Sequence, residues 1–374
     1  NAAATRINSS GLIEKYRENV LLQSNNFGTT WATTNASVTS GQSGYDGLNN
    51  AWELKENTST GVHEIIQTLS VSTGVQTYSL KVSANTRSKM ALVLAGSAFN
   101  SGGNGVGIFN LTNGTLISSS GSLIDAKITS LGGNWYDVSI TKLASSSSAV
   151  AVVQLVDDSN NTTYAGNGTG SILIQSAQLE SGLCSTEYLN STSITAKAGV
   201  LIDLPRINFD ANGENGALLL EGSRTNVLEY SEYFDSSYYT KASGTSLDFG
   251  YLAPDGTNSA YKLSGNTSSI YAPSVIDSSY SRSIWARTTS GTGTAQLLTY
   301  FGNTNNIFNI TEEWQRFEVS SLTVSTGDLN FYAADLRGVS TLNEIIIWGA
   351  QAENASYVSS YIPNHGTSGG VTRA

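Results

Sequence analysis

Four residues in the second half of the sequence, Trp285, Arg287, Tyr300 and Tyr332, have side chains suited to sugar recognition. The C–H faces of a pyranose stack on an aromatic ring, while nearby Asn, Gln and Arg side chains hydrogen-bond the hydroxyls. Alternation along residues 281–287 turns Ile284 and Ala286 toward a core and leaves Ser283, Trp285 and Arg287 on an open sheet face. Tyr300 and Tyr332 are expected on neighbouring strands. Trp31, which has no clear match elsewhere in the chain, is a weaker candidate for ligand contact. The same rings equally suit packing against a partner chain, because large aromatics anchor protein interfaces. Trp135 and Trp314 stand at matching positions and are expected in cores, and Trp52, matched by Tyr261, is expected to pack as well.

Catalytic groupings are sparse. His63 and His365 fall at non-equivalent positions, so neither a metal cluster nor a repeated acid or base is indicated, and both are expected at the surface or in loops. Cys184 has no His or basic neighbour in sequence to lower its pKa and reads as a bystander thiol. Asp157-Asp158 and Glu312-Glu313 are adjacent pairs, and adjacent strand residues point to opposite faces, whereas a glycosidase needs two carboxyls facing one bond. Nucleophile-elbow, phosphate-loop and His-Glu-x-x-His patterns are missing from the sequence. The chain is therefore expected not to be an enzyme and to carry no cofactor. Asp157, Asp158, Asn160 and Asn161 could offer oxygens to a structural calcium, but their spacing is not that of an EF-hand loop, and an Asx-rich turn is the commoner use of such a cluster.

The composition narrows the partners. Only 13% of the 374 residues are charged, and the formal net charge of -10 leaves no basic field to neutralise phosphates, which excludes nucleic acid as a ligand. No apolar run approaches the roughly 20 residues of a membrane span, so membrane insertion is not expected. A single cysteine cannot build an internal disulfide framework, and stability must come from packed sheets or partner chains.

The elements that position these residues are short runs of alternating apolar and Ser/Thr residues at 75–82, 89–94, 107–111, 135–140, 149–156 and 171–178, separated by Gly and Asn turns. They belong to one of two copies. Asn19-Val20-Leu21 returns as Asn226-Val227-Leu228, Ala177-Gln178-Leu179-Glu180 as Ala350-Gln351-Ala352-Glu353, and Tyr188-Leu189 as Tyr361-Ile362. The spacing between matching residues falls from 207 (Asn19 to Asn226) to 173 (Gln178 to Gln351), so the first copy is longer, with part of its surplus placed around residues 100–132. The expected fold is all-β: two tandem jelly-roll-like β-sandwich modules joined by a short extended connector. The expected boundaries are an N-terminal linker at 1–18, module 1 at 19–194, the connector at 195–225 and module 2 at 226–374.

The segments DAKITSLGGNWYDVSI (125–140), VDDSNNTTYAGNGTGSILIQSAQLESG (156–182), LLLEGSRTNVLEYSEYF (218–234), APDGTNSAYKL (253–263) and IIIWGAQAENASYVSSYIPNHGTSGGVTR (345–373) resemble tandem carbohydrate-binding-module-like domains of tailed-bacteriophage virion proteins. The resemblance spans nearly the whole chain. It implies a structural, surface-displayed role on the virion, as a tail fibre, capsid fibre or decoration protein. Other virion proteins would be its partners, and a homo-oligomer, such as a trimer, its assembly. Weak binding of host or environmental glycans fits the same resemblance. A dedicated host-attachment protein and a polysaccharide-degrading enzyme are the alternatives.

Overall fold

The structure is a computed structural model that describes residues 3–201, 204–210, 212–273, 279–298, 306–323 and 330–373. Among them the regular elements are β-strands, apart from one 3-10 turn at Ser97–Phe99. No helix among the described residues is long and apolar enough to cross a membrane. The chain divides into two compact units, Arg17–Ala198 and Asn1–Tyr16 with Gly199–Ala374, called here the first and second modules. Both are β-sandwiches, as the alternation of apolar and polar residues predicts.

In the first module one six-stranded sheet runs in the order Asp125–Gly132, Trp135–Ala144, Gly74–Ala84, Ser171–Ser181, Ala51–Glu56, Ala36–Gln42. The other runs Thr115–Ser120, Gly105–Asn110, Lys89–Ala95, Ser148–Leu155, Glu64–Ser70, Ala32–Thr34. Each pairing is antiparallel. The period-2 pattern turns Tyr78, Leu80, Val82, Val138, Ile140, Ile172 and Ile174 inward from the first sheet. They meet Met90, Leu92, Leu94, Phe109, Ala151 and Val153 of the second in one buried cluster. The six strand runs read from the sequence fall on these strands, with 107–111 and 149–156 each running one residue past the strand end.

The second module keeps this plan with a seven-stranded and a five-stranded sheet. Ser246–Tyr251, Ala260–Ser264, Glu344–Glu353, Ser279–Arg287 and Gln315–Thr323 form one sheet in that order, to which Arg224–Asn226 and Val371–Arg373 attach. Thr240–Lys241, Ser269–Ala272, Phe331–Asp335, Gly293–Gln296 and Ile307–Ile310 form the other. The surplus of the first copy lies where expected. Between Gly105–Asn110 and Trp135–Ala144 stand the added strands Thr115–Ser120 and Asp125–Gly132, one on an edge of each sheet, whereas Ile307–Ile310 leads almost directly into Gln315–Thr323.

The repeated sequence pieces are buried polar clamps. Asn19 is fully buried, donates to the Ala177 and Leu189 carbonyls at 3.0 and 2.9 Å, and accepts from Leu21 N and Leu179 N. Asn226 makes the same set with Ala350, Ile362, Leu228 and Ala352. Gln178 donates to Glu180 at 2.7 Å and accepts from Leu189 N, and Gln351 does likewise with Glu353 and Ile362 N. Each unpaired buried group would cost about 1–3 kcal/mol, so these residues recur together. They pin the segments around 186–189 and 359–362 across part of the outer face of the sheets that carry Gln178 and Gln351.

The first sixteen residues, expected as a linker, contain a hairpin: Thr5–Ile7 pairs with Ile13–Lys15, and Arg6 Nε reaches Glu14 at 2.6 Å. A second hairpin pairs Ile207–Asn208 with Ala217–Leu218, and Arg206 reaches Glu221 at 3.0 Å. Arg206-Ile207-Asn208 thus repeats Arg6-Ile7-Asn8, and the repeat begins upstream of the sandwich itself. The two hairpins are joined by Ile7 N donating to Asn208 Oδ1 at 2.8 Å and Phe209 N donating to Ile7 O at 3.0 Å. Within the stretch 195–225, Ala196–Ala198 pairs with Arg17–Asn19 to close the first module, and Arg224–Asn226 pairs with Val371–Arg373 to close the second.

Candidate functional site

In the first module, alternation that sends Tyr136, Val138 and Ile140 inward leaves Trp135, Asp137 and Ser139 on the outer face, opposite Ser83, Lys81 and Ser79. Gln175 is paired with Lys81 on the next strand. This corrects the expectation that Trp135 is core: it is half-buried on the outer face.

A loop leans over this floor. Asp46 accepts from Leu48 N at 3.1 Å, Gly44 N donates to Leu48 O at 2.7 Å, and Gly47 takes φ 77°, so the chain turns back tightly at Asp46-Gly47. Its base is tied down by Asn50, whose amide donates to Asp46 Oδ2 at 2.8 Å and whose oxygen accepts from Gln175 Nε2 at 2.8 Å. Tyr45 N donates to Gln175 Oε1 at 3.2 Å. The Tyr45 ring is thereby held out with 40% of its surface exposed, 6.4 Å from Trp135 at 64°. Lys81 Nζ lies 5.2 Å over the Tyr45 ring and 3.7 Å from Asp137. Burial pushes the Asp137 carboxyl above the usual carboxylate range, against the pull of Lys81. The Tyr45 phenol is raised by burial and by Asp46 and Asp137. Two rings beside an ammonium and a carboxylate can stack on an apolar ring face and both donate to and accept from hydroxyls, while the buried Gln175 amide holds the loop. The outer face of the opposite sheet offers nothing similar, being an aliphatic cluster built on Ala91, Val93, Val152 and Val156.

The second module has the same loop with different side chains. Ala253 N donates to Thr257 O at 2.8 Å and Asp255 accepts from Thr257 N at 3.0 Å, matching Gly44 and Asp46. Trp348 stands where Gln175 does, donating Nε1 to Ser259 Oγ at 2.9 Å as Gln175 donates to Asn50. Trp285 packs edge-on to Trp348 at 5.5 Å and to Tyr361 at 5.4 Å. Gly349, at φ 66°, makes this possible: a Cβ there would meet the Trp285 ring at 3.0 Å.

Of the residues proposed from sequence, Ile284 and Ala286 face the core as expected, and Trp285 is half-buried on the other face beneath Arg316, whose guanidinium carbon lies 4.5 Å from the ring. Arg287 lies 5.4 Å over Trp314. Trp314 is half-buried against the outer-face cluster of Ile346, Trp348 and Tyr361, which corrects its placement in the core. Tyr332 belongs to the other sheet, where it is buried and stacked on Tyr271 at 4.7 Å, so it does not join Trp285. Tyr300 lies outside the described residues. Trp31 is buried against Phe27 at 5.1 Å and donates to Gln23 O, which uses the ring in packing. Trp52 packs against Phe27 as expected.

The remaining polar candidates have local explanations. His63, expected at the surface, is fully buried, with Nδ1 2.8 Å from Asn35 O and its ring against Tyr164. Asp157 accepts from Ser159 N, Asn161 N and Asn161 Nδ2, and the Lys89 ammonium takes the Asp158 carbonyl and Asn160 Oδ1 at 2.7 Å each. That loop is an Asx turn closed by a lysine. Among the described residues, no three His, Cys, Asp or Glu side chains are grouped to hold a metal. Sequence reasoning missed Tyr45, Lys81, Asp137 and Gln175. The pairing of Asp46-Gly47 with Asp255-Gly256, five residues before the matched Ala51 and Ala260, was the signal for the loop.

No protein-family model matches the chain, and no curated protein sequence matches it significantly. Among solved structures it is similar to the N-terminal CBM22-1-CBM22-2 tandem domain of Paenibacillus barcinonensis Xyn10C, at 12% identity and TM-score 0.31, covering 90% of this chain and 98% of that one. It is also similar to a Paenibacillus cycloisomaltooligosaccharide glucanotransferase complexed with cycloisomaltoheptaose, at 10% identity and TM-score 0.23, covering 92% of this chain and 47% of that one. Scores this low carry no residue roles across.

Proposed function

We propose that the chain is a non-catalytic, glycan-binding protein displayed on a bacteriophage virion as a fibre or decoration component, and that the outer face of its first module is where the glycan binds. The observation that carries the binding reading is the exposed Tyr45 ring beside Trp135, above a floor of Lys81 and Asp137. A hydroxyl-rich sequence with only 13% charged residues supports a sugar over a charged polymer. The virion reading, with other virion proteins as partners and a homo-oligomer as the assembly, rests on the phage-like segments quoted above. In that setting many weak sites act together, since avidity multiplies single-site affinity without new contacts.

Binding is favoured over hydrolysis by spacing. Three carboxyls of this sheet are raised by burial: Glu180 is covered by hydrogen bonds from Gln178 and Thr186, and Asp125 and Asp137 are four residues apart in register. At about 3.3 Å of strand rise per residue they are roughly 13 Å apart, beyond the roughly 5–9.5 Å of a glycosidase pair. A glycan array probed with the purified chain, with its mass in solution measured on the same sample, tests the proposal. The expected result is retention of a defined glycan by a homo-oligomer. An array without signal would overturn the binding reading and leave the rings to assembly.

A further inference from the structure

The matching cleft of the second module is occupied by the chain itself. Lys15, at the end of the first hairpin, extends its ammonium to Asp255 Oδ2 at 2.7 Å and to Glu232 Oε1 and Oε2 at 3.0 and 3.3 Å. Its Nζ lies 5.4 Å over the Trp348 ring. The pocket is built to hold a cation: Thr257 N and Oγ1 orient Asp255 at 3.0 and 2.8 Å, and the Tyr361 hydroxyl donates to Glu232 at 2.9 Å. Three carboxylate oxygens lie within 3.3 Å of the ammonium, and an indole face completes the enclosure.

Comparison of the two repeats shows this to be a special feature of the second module. Where the second module has Glu232, Ser259 and Trp348, the first has Asn25, Asn50 and Gln175, which hydrogen-bond one another and the loop. Where the first hairpin carries Lys15, the second carries Gly222, one residue after the Glu221 that matches Glu14. Asp46 and Tyr188 match Asp255 and Tyr361, so the second carboxylate and the indole, Glu232 and Trp348, are what the copy that receives a lysine adds. The hairpin that delivers it pairs over three residues per strand, and Ile13 N anchors it to Pro254 O at 3.1 Å.

We propose that this pocket, lined by Glu232, Asp255, Trp348 and Tyr361, is a binding site for a protonated primary amine on an aliphatic arm, kept filled by Lys15 of the same chain. The inference does not depend on glycan binding by the first module. Its ligand class follows from the seated group: three N–H donors and one positive charge on an aliphatic arm, with the ammonium over an indole face. A quaternary ammonium lacks the donors and an alcohol lacks the charge, so both are discriminated against.

The test is chemical rescue of the full chain. Lys15→Ala is expected to lower the melting temperature by several degrees. n-Butylammonium chloride is expected to restore at least half of that loss saturably, while n-butanol and tetramethylammonium at matched ionic strength restore none. The wild-type chain is expected not to respond, and Lys15→Ala with Glu232→Gln should need at least tenfold more amine. If Lys15→Ala does not fold alone, the refolded fraction is read across the same series. Equal recovery with butanol, or no recovery with the amine, would overturn the proposal.

Discussion

Truncating Trp348 to alanine is expected to be the most destabilising single change in the second module, costing about 3–5 kcal/mol. The indole is completely buried, contacts Trp285 and Tyr361 edge-on or tilted at 5.5 and 4.8 Å, donates to Ser259, and lies beneath the Lys15 ammonium. Its loss opens a cavity beside two carboxylates and leaves the Ser259 hydroxyl with Thr257 as its remaining donor. A loss of that size in a unit of this length lowers the melting temperature by roughly 2–4 °C per kcal/mol. Calorimetry should therefore show a transition falling by about 6 °C or more. A shift below about 2 °C would mean that the outer-face cluster does not hold the module together.

In the first module the corresponding ring is used differently. Trp135→Ala is expected to weaken glycan binding by about 30-fold, the equivalent of roughly 2 kcal/mol for an aromatic anchor, with a much smaller stability loss than Trp348→Ala. Trp135 is only half-buried, at the end of its strand, and its ring neighbour is the exposed Tyr45. Binding isotherms and melting curves on the same variant separate the two effects. Unchanged affinity in a folded Trp135→Ala chain would remove this face from the account.

Local pattern made much of this architecture legible. Alternation along residues 281–287 placed Ile284 and Ala286 in the core, and the repeated Asn, Gln and Glu residues marked the two copies because each clamps backbone at the same place. The same alternation run backward from Ile140 puts Trp135 outside. Reading two matched tryptophans as core ignored that parity, and it was the periodicity that decided. Tyr332 could not be placed beside Trp285 or apart from it, because sheet membership depends on long-range pairing that no local period encodes. Lys15 and Glu232 are 217 residues apart. Nothing near either residue signals that a hairpin ahead of the first module docks in the second. His63 looked like a surface residue because its satisfaction by the Asn35 carbonyl is likewise a tertiary contact.

The most direct measurement is calorimetric titration of the wild-type chain with a glycan that it retains on an array. The account predicts about one site per chain, lost in Trp135→Ala, because the first module presents Tyr45 and Trp135 while the matching cleft of the second is filled by Lys15. Two equivalent sites per chain, or one site that persists in Trp135→Ala, would contradict it.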